Sequence, residues 1–340
     1  MEMYLFRSDQ WKILYNCSKI RVNDVAFGER YHPINGVVII AMFVVFEALY
    51  LPCAYSICRR YRNSCYILLF FIAIVDVVML CFHGLVVGIL CFTGDVFCSN
   101  PHFTYITGCF ASALFVMETS ANFFLALDRC ADCISPAVSK FFFSEKRVFI
   151  WAGLSSLLAM YYFFFFQPAI YSGIYMNSFM NPFQGYNVEL DLTQYSSLIS
   201  TSYNLFLSFG FPAAYLIFIS LFVYKVKLTR SFGSETHRKK QMMIFIQVAL
   251  INGLNVSSSI LYTIMQQLPM SKMLIIIGYY LNYFIFGFPP IIFLVFNTSI
   301  RRDCHKMFQS MLNEMSVRLH KRPISPGNQI QFISTFVDSK

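Results

Sequence analysis

The sequence predicts an all-α integral membrane protein: a bundle of seven transmembrane helices with its N-terminus outside and its C-terminus inside. Three observations carry this. The 340 residues are 57% hydrophobic and only 13% charged, against roughly 45–50% apolar and 25% charged in a soluble domain. Seven stretches of about 20 residues lack Lys and Arg, and a helix rising about 1.5 Å per residue needs that length to cross a ~30 Å hydrocarbon core. All 26 Lys and Arg residues lie between these stretches, in segments that alternate between basic and nearly free of base.

The extracellular segment, 1–33, has scattered charges and no apolar run, so the first span acts as its own insertion signal. The spans cover 34–57, 66–92, 101–126, 148–170, 198–224, 242–267 and 273–296, within one membrane domain of 34–296. Assigning the first, second and third inner connections and the tail to the cytoplasm puts 20 basic residues inside and 6 outside. Cytoplasmic loops of membrane proteins carry such an excess, which fixes the orientation. The net charge of +9 is thereby a topological signal and no mark of nucleic-acid binding. The tail, 297–340, mixes basic and apolar positions at helical spacing over about 299–315, an amphipathic helix for the inner membrane surface.

Most of the 11 cysteines lie in or beside spans, where a small polarizable side chain packs well. Cys17 and Cys98 fall on the oxidising side. They form a candidate disulfide, with Cys91 as a competing partner. Asn16-Cys17-Ser18 is a glycosylation sequon on the same side. No glycine-rich phosphate loop, nucleophile elbow or paired metal-ligand spacing is present, so no enzyme is expected.

Glu47, Asp76 and Glu118 lie 12, 12 and 11 residues from the inner ends of their helices, about 16–18 Å above that face at the helical rise. Intramembrane acids are costly and usually functional. With no Lys or Arg in any span and only His83 nearby, the expected carboxylate layer must hold a proton or a cation.

At the inner end of the third span stands Leu127-Asp128-Arg129-Cys130, and compatible features follow in Pro212, Pro289-Pro290 and the tail helix. Together with Asp76 they resemble the rhodopsin-like G-protein-coupled receptors. Asp128-Arg129-Cys130 resembles that family's acid-Arg-Tyr triplet with Cys for Tyr. Phe288 to Phe293 resembles its Asn-Pro-x-x-Tyr, with Pro289 for Asn, Pro290 as the proline and Phe293 for Tyr. The second extracellular loop has no cysteine and the sixth span no Cys-Trp-x-Pro. Tyr15-Asn16-Cys17, Tyr50-Leu51-Pro52, Ser64-Cys65-Tyr66, Ile74-Val75-Asp76, Phe97-Cys98-Ser99-Asn100-Pro101 and Leu127 to Cys130 are similar to one branch, the nematode serpentine chemoreceptors of class T.

The resemblance implies a plasma-membrane chemosensory receptor, in the sensory cilium of chemosensory neurons, coupling a small-molecule ligand to a heterotrimeric G protein. Asp128, Arg129, Pro289, Pro290 and Phe293 would form the activation switch, and Asp76 with Glu118 would sit where that family binds sodium. The ligand cavity would lie among the third, fifth, sixth and seventh helices, walled by Thr107, Ala111, Ser112, Phe115, Tyr203, Tyr262, Gln266, Tyr279 and Tyr283. Ala111 occupies the amine-binding acid's position and Tyr283 the retinal lysine's, so the expected ligand is small and neutral or weakly polar. Arg59, Arg60 and Arg62, with Arg238, Lys239 and Lys240, are the expected G-protein contacts. The competing class is a transporter or ligand-gated channel, for which paired repeats and Gly/Pro-broken spans are wanting.

Overall fold

The computed structural model describes residues 1–18, 20, 22–60, 64–144, 146–186, 195, 198–229, 235–268 and 270–320. Three short helices, α1 (Glu2–Phe6), α2 (Ser8–Leu14) and α3 (Phe27–Arg30), belong to the extracellular segment. Pro33 opens the first pass, α4 (Pro33–Cys58), at a position where the first turn has no use for the missing N–H. The second pass is α5 (Ser64–Leu80), a π turn over Cys81–Val86 and α6 (Val87–Thr93). Gly94 ends it at φ 64°, a left-handed cap that glycine adopts without a Cβ clash. The third pass is α7 (Pro101–Ile134), followed on the inner side by α8 (Pro136–Phe143). The fourth pass is α9 (Val148–Phe165). An antiparallel hairpin, β1 (Ile170–Ser172) and β2 (Asn177–Phe179), pairs Ile170 with Phe179.

The fifth and sixth passes are α10 (Leu198–Thr229) and α11 (Glu235–Gln267). The seventh consists of α12 (Lys272–Gly287) and α13 (Pro289–Phe296), bent by 51° at Phe288. Pro289 and Pro290 give α13 a start without N–H groups, so the hydrogen-bond ladder is interrupted there. The tail helix, α14 (Thr298–His320), is capped by Asn297, whose Oδ1 accepts from Ser299 N at 3.2 Å and Ile300 N at 3.1 Å.

Several expected boundaries change. The fourth span ends at Phe165, well short of 170, and Ile170 is already strand. Pro168 explains this, because the residue before a proline is driven out of the α region. The third and sixth helices run about two turns further into the cytoplasm than hydropathy alone marks, since a helix does not end where the bilayer does.

The core is layered along the bundle axis. Leu68, Ile72, Ala121, Leu125, Ile251 and Phe293 fill the inner half. Phe46, Tyr50, Met79, Tyr283 and Phe286 fill the middle, and Ile39, Leu90, Cys91, Met176 and Tyr279 the outer end. Above them Trp11, Tyr15, Phe97 and Tyr105 join the extracellular segment to the top of α7. Large apolar residues stay exposed on the outer flanks of α4 and α9, including Val37, Leu51, Leu157 and Phe165, as lipid contact requires.

Candidate functional site

Three polar centres lie along the axis. At the inner end Asp128 is fully buried and Arg129 is 13% exposed. The Arg129 guanidinium donates to Asp128 Oδ2 through Nε at 3.1 Å and through Nη2, and Nη1 lies 3.6 Å from Asp132. Ser64, at the start of α5, donates to Asp128 Oδ1 at 3.3 Å. One turn of α7 thus carries the cation and two acids, while the neighbouring helix supplies a hydroxyl. The arrangement parks a charged, planar donor at the bundle's inner mouth. Phe293 is buried among the apolar residues above it, and the carbonyl of Pro290 lies 3.9 Å from Cys53 Sγ.

Near the midplane Asp76 and Glu118 are both fully buried and lie within electrostatic range of each other. Tyr50 donates its hydroxyl to Asp76 Oδ2. Asn122, one turn below Glu118, donates to Glu118 Oε1, and Asn255 of α11 approaches the same oxygen at 3.4 Å. Asp76 Oδ1, Glu118 Oε2, Asn122 Oδ1 and Asn255 Oδ1 are buried without a hydrogen-bond partner. Such atoms are uncommon in folded interiors and call for an explanation.

The expected three-acid layer is corrected here. Glu47 is only partly buried and lies within electrostatic range of Cys81 and Tyr283, apart from the other two. Equal depth does not bring side chains together when they leave different faces of their helices. His83 also turns elsewhere, its ring centroid 6.0 Å from Tyr279 and 5.5 Å from Phe286.

The outer centre departs furthest from the expected cavity. Tyr279 donates to the His83 carbonyl and Tyr283 to the Ile39 carbonyl at 3.4 Å, so these hydroxyls face the first two passes. Gly84 makes room for this, since a Cβ there would stand 2.7 Å from the Tyr283 hydroxyl. Tyr262 donates to Asn177 Oδ1 at 2.5 Å, and Asn177 Nδ2 donates to the Ile275 carbonyl at 2.8 Å, clamping the hairpin onto α11 and α12. Ser112 accepts from Ala169 N at 3.1 Å, Thr107 bonds its own helix at Phe103 O, and Tyr203 meets Thr119. Ala111 and Phe115 pack against the middle layer of the core, to which Tyr283 belongs. The Gln266 side chain lies outside the described residues.

Cys17 and Cys98 form a disulfide, while Cys91 lies 3.4 Å from the Tyr171 hydroxyl. Asn16 is exposed and its Oδ1 accepts from Ser18 N at 2.8 Å. Of the expected G-protein contacts, Arg59 is exposed, its guanidinium 5.5 Å from the Tyr55 ring centroid. Arg60 is held by Asp303 at 2.7 Å. Arg62 and the side chains of Arg238, Lys239 and Lys240 lie outside the described residues.

The sequence marks Tyr50 only as part of a family motif and Asn255 only as a sequon inside a span, and it does not single out Asn122 or Asn177. Asn122 stands four residues after Glu118 on one helical face, a spacing that could have marked it. No comparable sequence signal links Asn177 to Tyr262.

The model of a family described as the serpentine type 7TM GPCR chemoreceptor Srt matches residues 1–317. The chain belongs to that family. The receptor is also similar in fold to squid rhodopsin in its crystal structure. The two share 14% sequence identity and a TM-score of 0.61, over 85% of this chain and 87% of the rhodopsin chain. No curated protein matches the receptor. Membership and fold make it a multi-pass membrane receptor of the chemosensory kind.

Proposed function

We propose that the receptor couples a small, neutral or weakly polar stimulus to a heterotrimeric G protein, with Arg129 as the switch. The observation that carries this is the guanidinium held between Asp128 and Asp132 at the inner mouth of the bundle. When the neighbouring helices part, the same planar donors turn to a segment of the G protein. The aromatic, hydroxyl-bearing outer half, free of Lys and Arg within the spans, supports the ligand class. The sensory cilium of chemosensory neurons is the proposed location.

Sodium is the proposed ion at the midplane. The unpartnered oxygens of Asp76, Glu118, Asn122 and Asn255 form an all-oxygen donor set, which suits a hard cation. Such an ion would offset one of the two carboxylate charges and hold α5, α7 and α11 together at rest. Among the described residues no group of three or more His, Cys, Asp and Glu could hold a metal ion, and the proposed sodium set relies on two amide oxygens beside the two acids.

Arg129→Ala tests the reading in cells that report G-protein activation and membrane current. The variant should still reach the surface while losing activation in a screen of small, neutral and weakly polar compounds. Normal activation by the variant defeats the switch, and a wild-type current that needs no G protein favours a channel.

A further inference from the structure

Arg60, one of the expected G-protein contacts, also makes contacts within the chain. Arg60 follows the end of α4 and reaches back, donating through Nη1 to Ser56 Oγ at 2.7 Å and to the Ser56 carbonyl at 2.9 Å. Through Nη2 it meets Asp303 Oδ2 at 2.7 Å and the Ser299 carbonyl at 3.2 Å. The buried Ser56 hydroxyl donates to the same Asp303 oxygen at 3.0 Å. Two elements more than 200 residues apart in sequence are thus joined by three polar contacts, and two further bonds hold the guanidinium against Ser56. Arg60 and Asp303 side chains are each about three-quarters covered, and hydrogen bonds to charged groups are the stronger kind.

The grip determines which face of α14 looks where. From Ile300 the apolar positions recur at Cys304, Phe308 and Met311, one stripe along the helix. Its first turns are covered by the bundle: Ile300 is fully buried and Cys304 Sγ lies 3.9 Å from Cys53 Sγ. Further on the stripe is bare, with Phe308 60% and Met311 63% exposed. Successive residues turn by about 100°, so a roll of α14 by one position would put Arg301 against α4 in place of Ile300.

We propose that Arg60 is a positioning residue: its grip on Ser56 and Asp303 fixes the roll of α14, so that the stripe begun by Ile300 and Cys304 continues onto acyl chains of the inner leaflet. The lipid is the occupant because the bare part continues, on the same face, an interface already buried against a membrane-spanning helix. Arg301 and Arg302 precede the bare part and stay exposed, where the headgroups lie.

The full receptor in phosphatidylcholine vesicles tests this in two ways. Diamide takes two electrons and two protons from a thiol pair in contact, leaving a disulfide and a hydrazine, so Cys53–Cys304 cross-linking reports a docked α14. Arg60→Gln and Asp303→Asn should each slow cross-linking about tenfold or more, with melting in the vesicles changed little. The charge-swapped Arg60→Asp, Asp303→Arg pair should recover most of the rate. Phe308→Trp should add fluorescence that brominated acyl chains quench, less so when Arg60→Gln is also present. Wild-type cross-linking in both neutralised variants overturns the latch, and an unquenched tryptophan at 308 overturns the lipid.

Discussion

Neutralising the midplane acids separates a bound ion from a purely structural network. Asp76→Asn leaves Tyr50 an acceptor oxygen, and Glu118→Gln leaves one for Asn122 and Asn255. Each replacement removes a charge and supplies donors next to oxygens that have no partner. An unsatisfied buried polar group costs about 1–3 kcal/mol, so the sodium-free double variant should be at least as stable as wild type. For wild type, sodium at a hundredfold excess over its dissociation constant stabilises the folded state by about 2.7 kcal/mol. At roughly 2–4 °C per kcal/mol for a large domain, the midpoint should rise by about 5–10 °C. The assay is thermal unfolding of purified receptor while choline is exchanged for sodium up to about 150 mM, near physiological ionic strength. Wild type should shift and the double variant stay flat. A wild-type midpoint independent of both sodium and pH refutes the ion or proton site and leaves a hydrogen-bond network between α5, α7 and α11.

Cys98→Ser opens a bridge spanning 81 residues of sequence and should cost about 2–5 kcal/mol, read as a drop in surface delivery and in melting temperature under non-reducing conditions. Gly108→Ala would place a Cβ 2.7 Å from the Ala169 carbonyl. Backbone cannot yield as a side-chain tip does, so a loss of about 1–3 kcal/mol is expected, and an unchanged melting curve would show that the hairpin entry is not fixed there. Asp303 should make α14 docking acid-labile. Burial raises its carboxyl, but hydrogen bonds from Arg60 and Ser56 and the Arg60 and Arg302 charges outweigh that and hold it below the usual carboxylate range. Its contribution is complete above the unfolded value near about 3.9 and fades as pH falls through the lowered one. Quenching of the Phe308→Trp fluorescence by brominated acyl chains should therefore be constant from neutral pH to about pH 5, and a loss within that range counts against the ion pair.

How far the sequence reaches can be seen in particular residues. Apolar length and the placement of Lys and Arg are properties of short stretches, so the passes and their orientation follow from sequence alone. Asp128 and Arg129 could be singled out for the same reason, because adjacent residues meet without help from the fold. Asp76 and Glu118 were matched in depth, since helical rise is constant. The fold alone decided that Glu47 stands apart from them, as depth says nothing about which way a helix is rolled. Tyr262 and Asn177, Tyr279 and the His83 carbonyl, and Arg60 and Asp303 are likewise pairs between distant elements. Each depends on the roll of two helices, which packing across the whole bundle sets: Gly84 admits the Tyr283 hydroxyl, the π turn re-aims His83, and the bend at Phe288 delivers α14 to the end of α4. The repeat of an isolated helix shows which residues share a face, and only the assembled neighbours determine what that face meets.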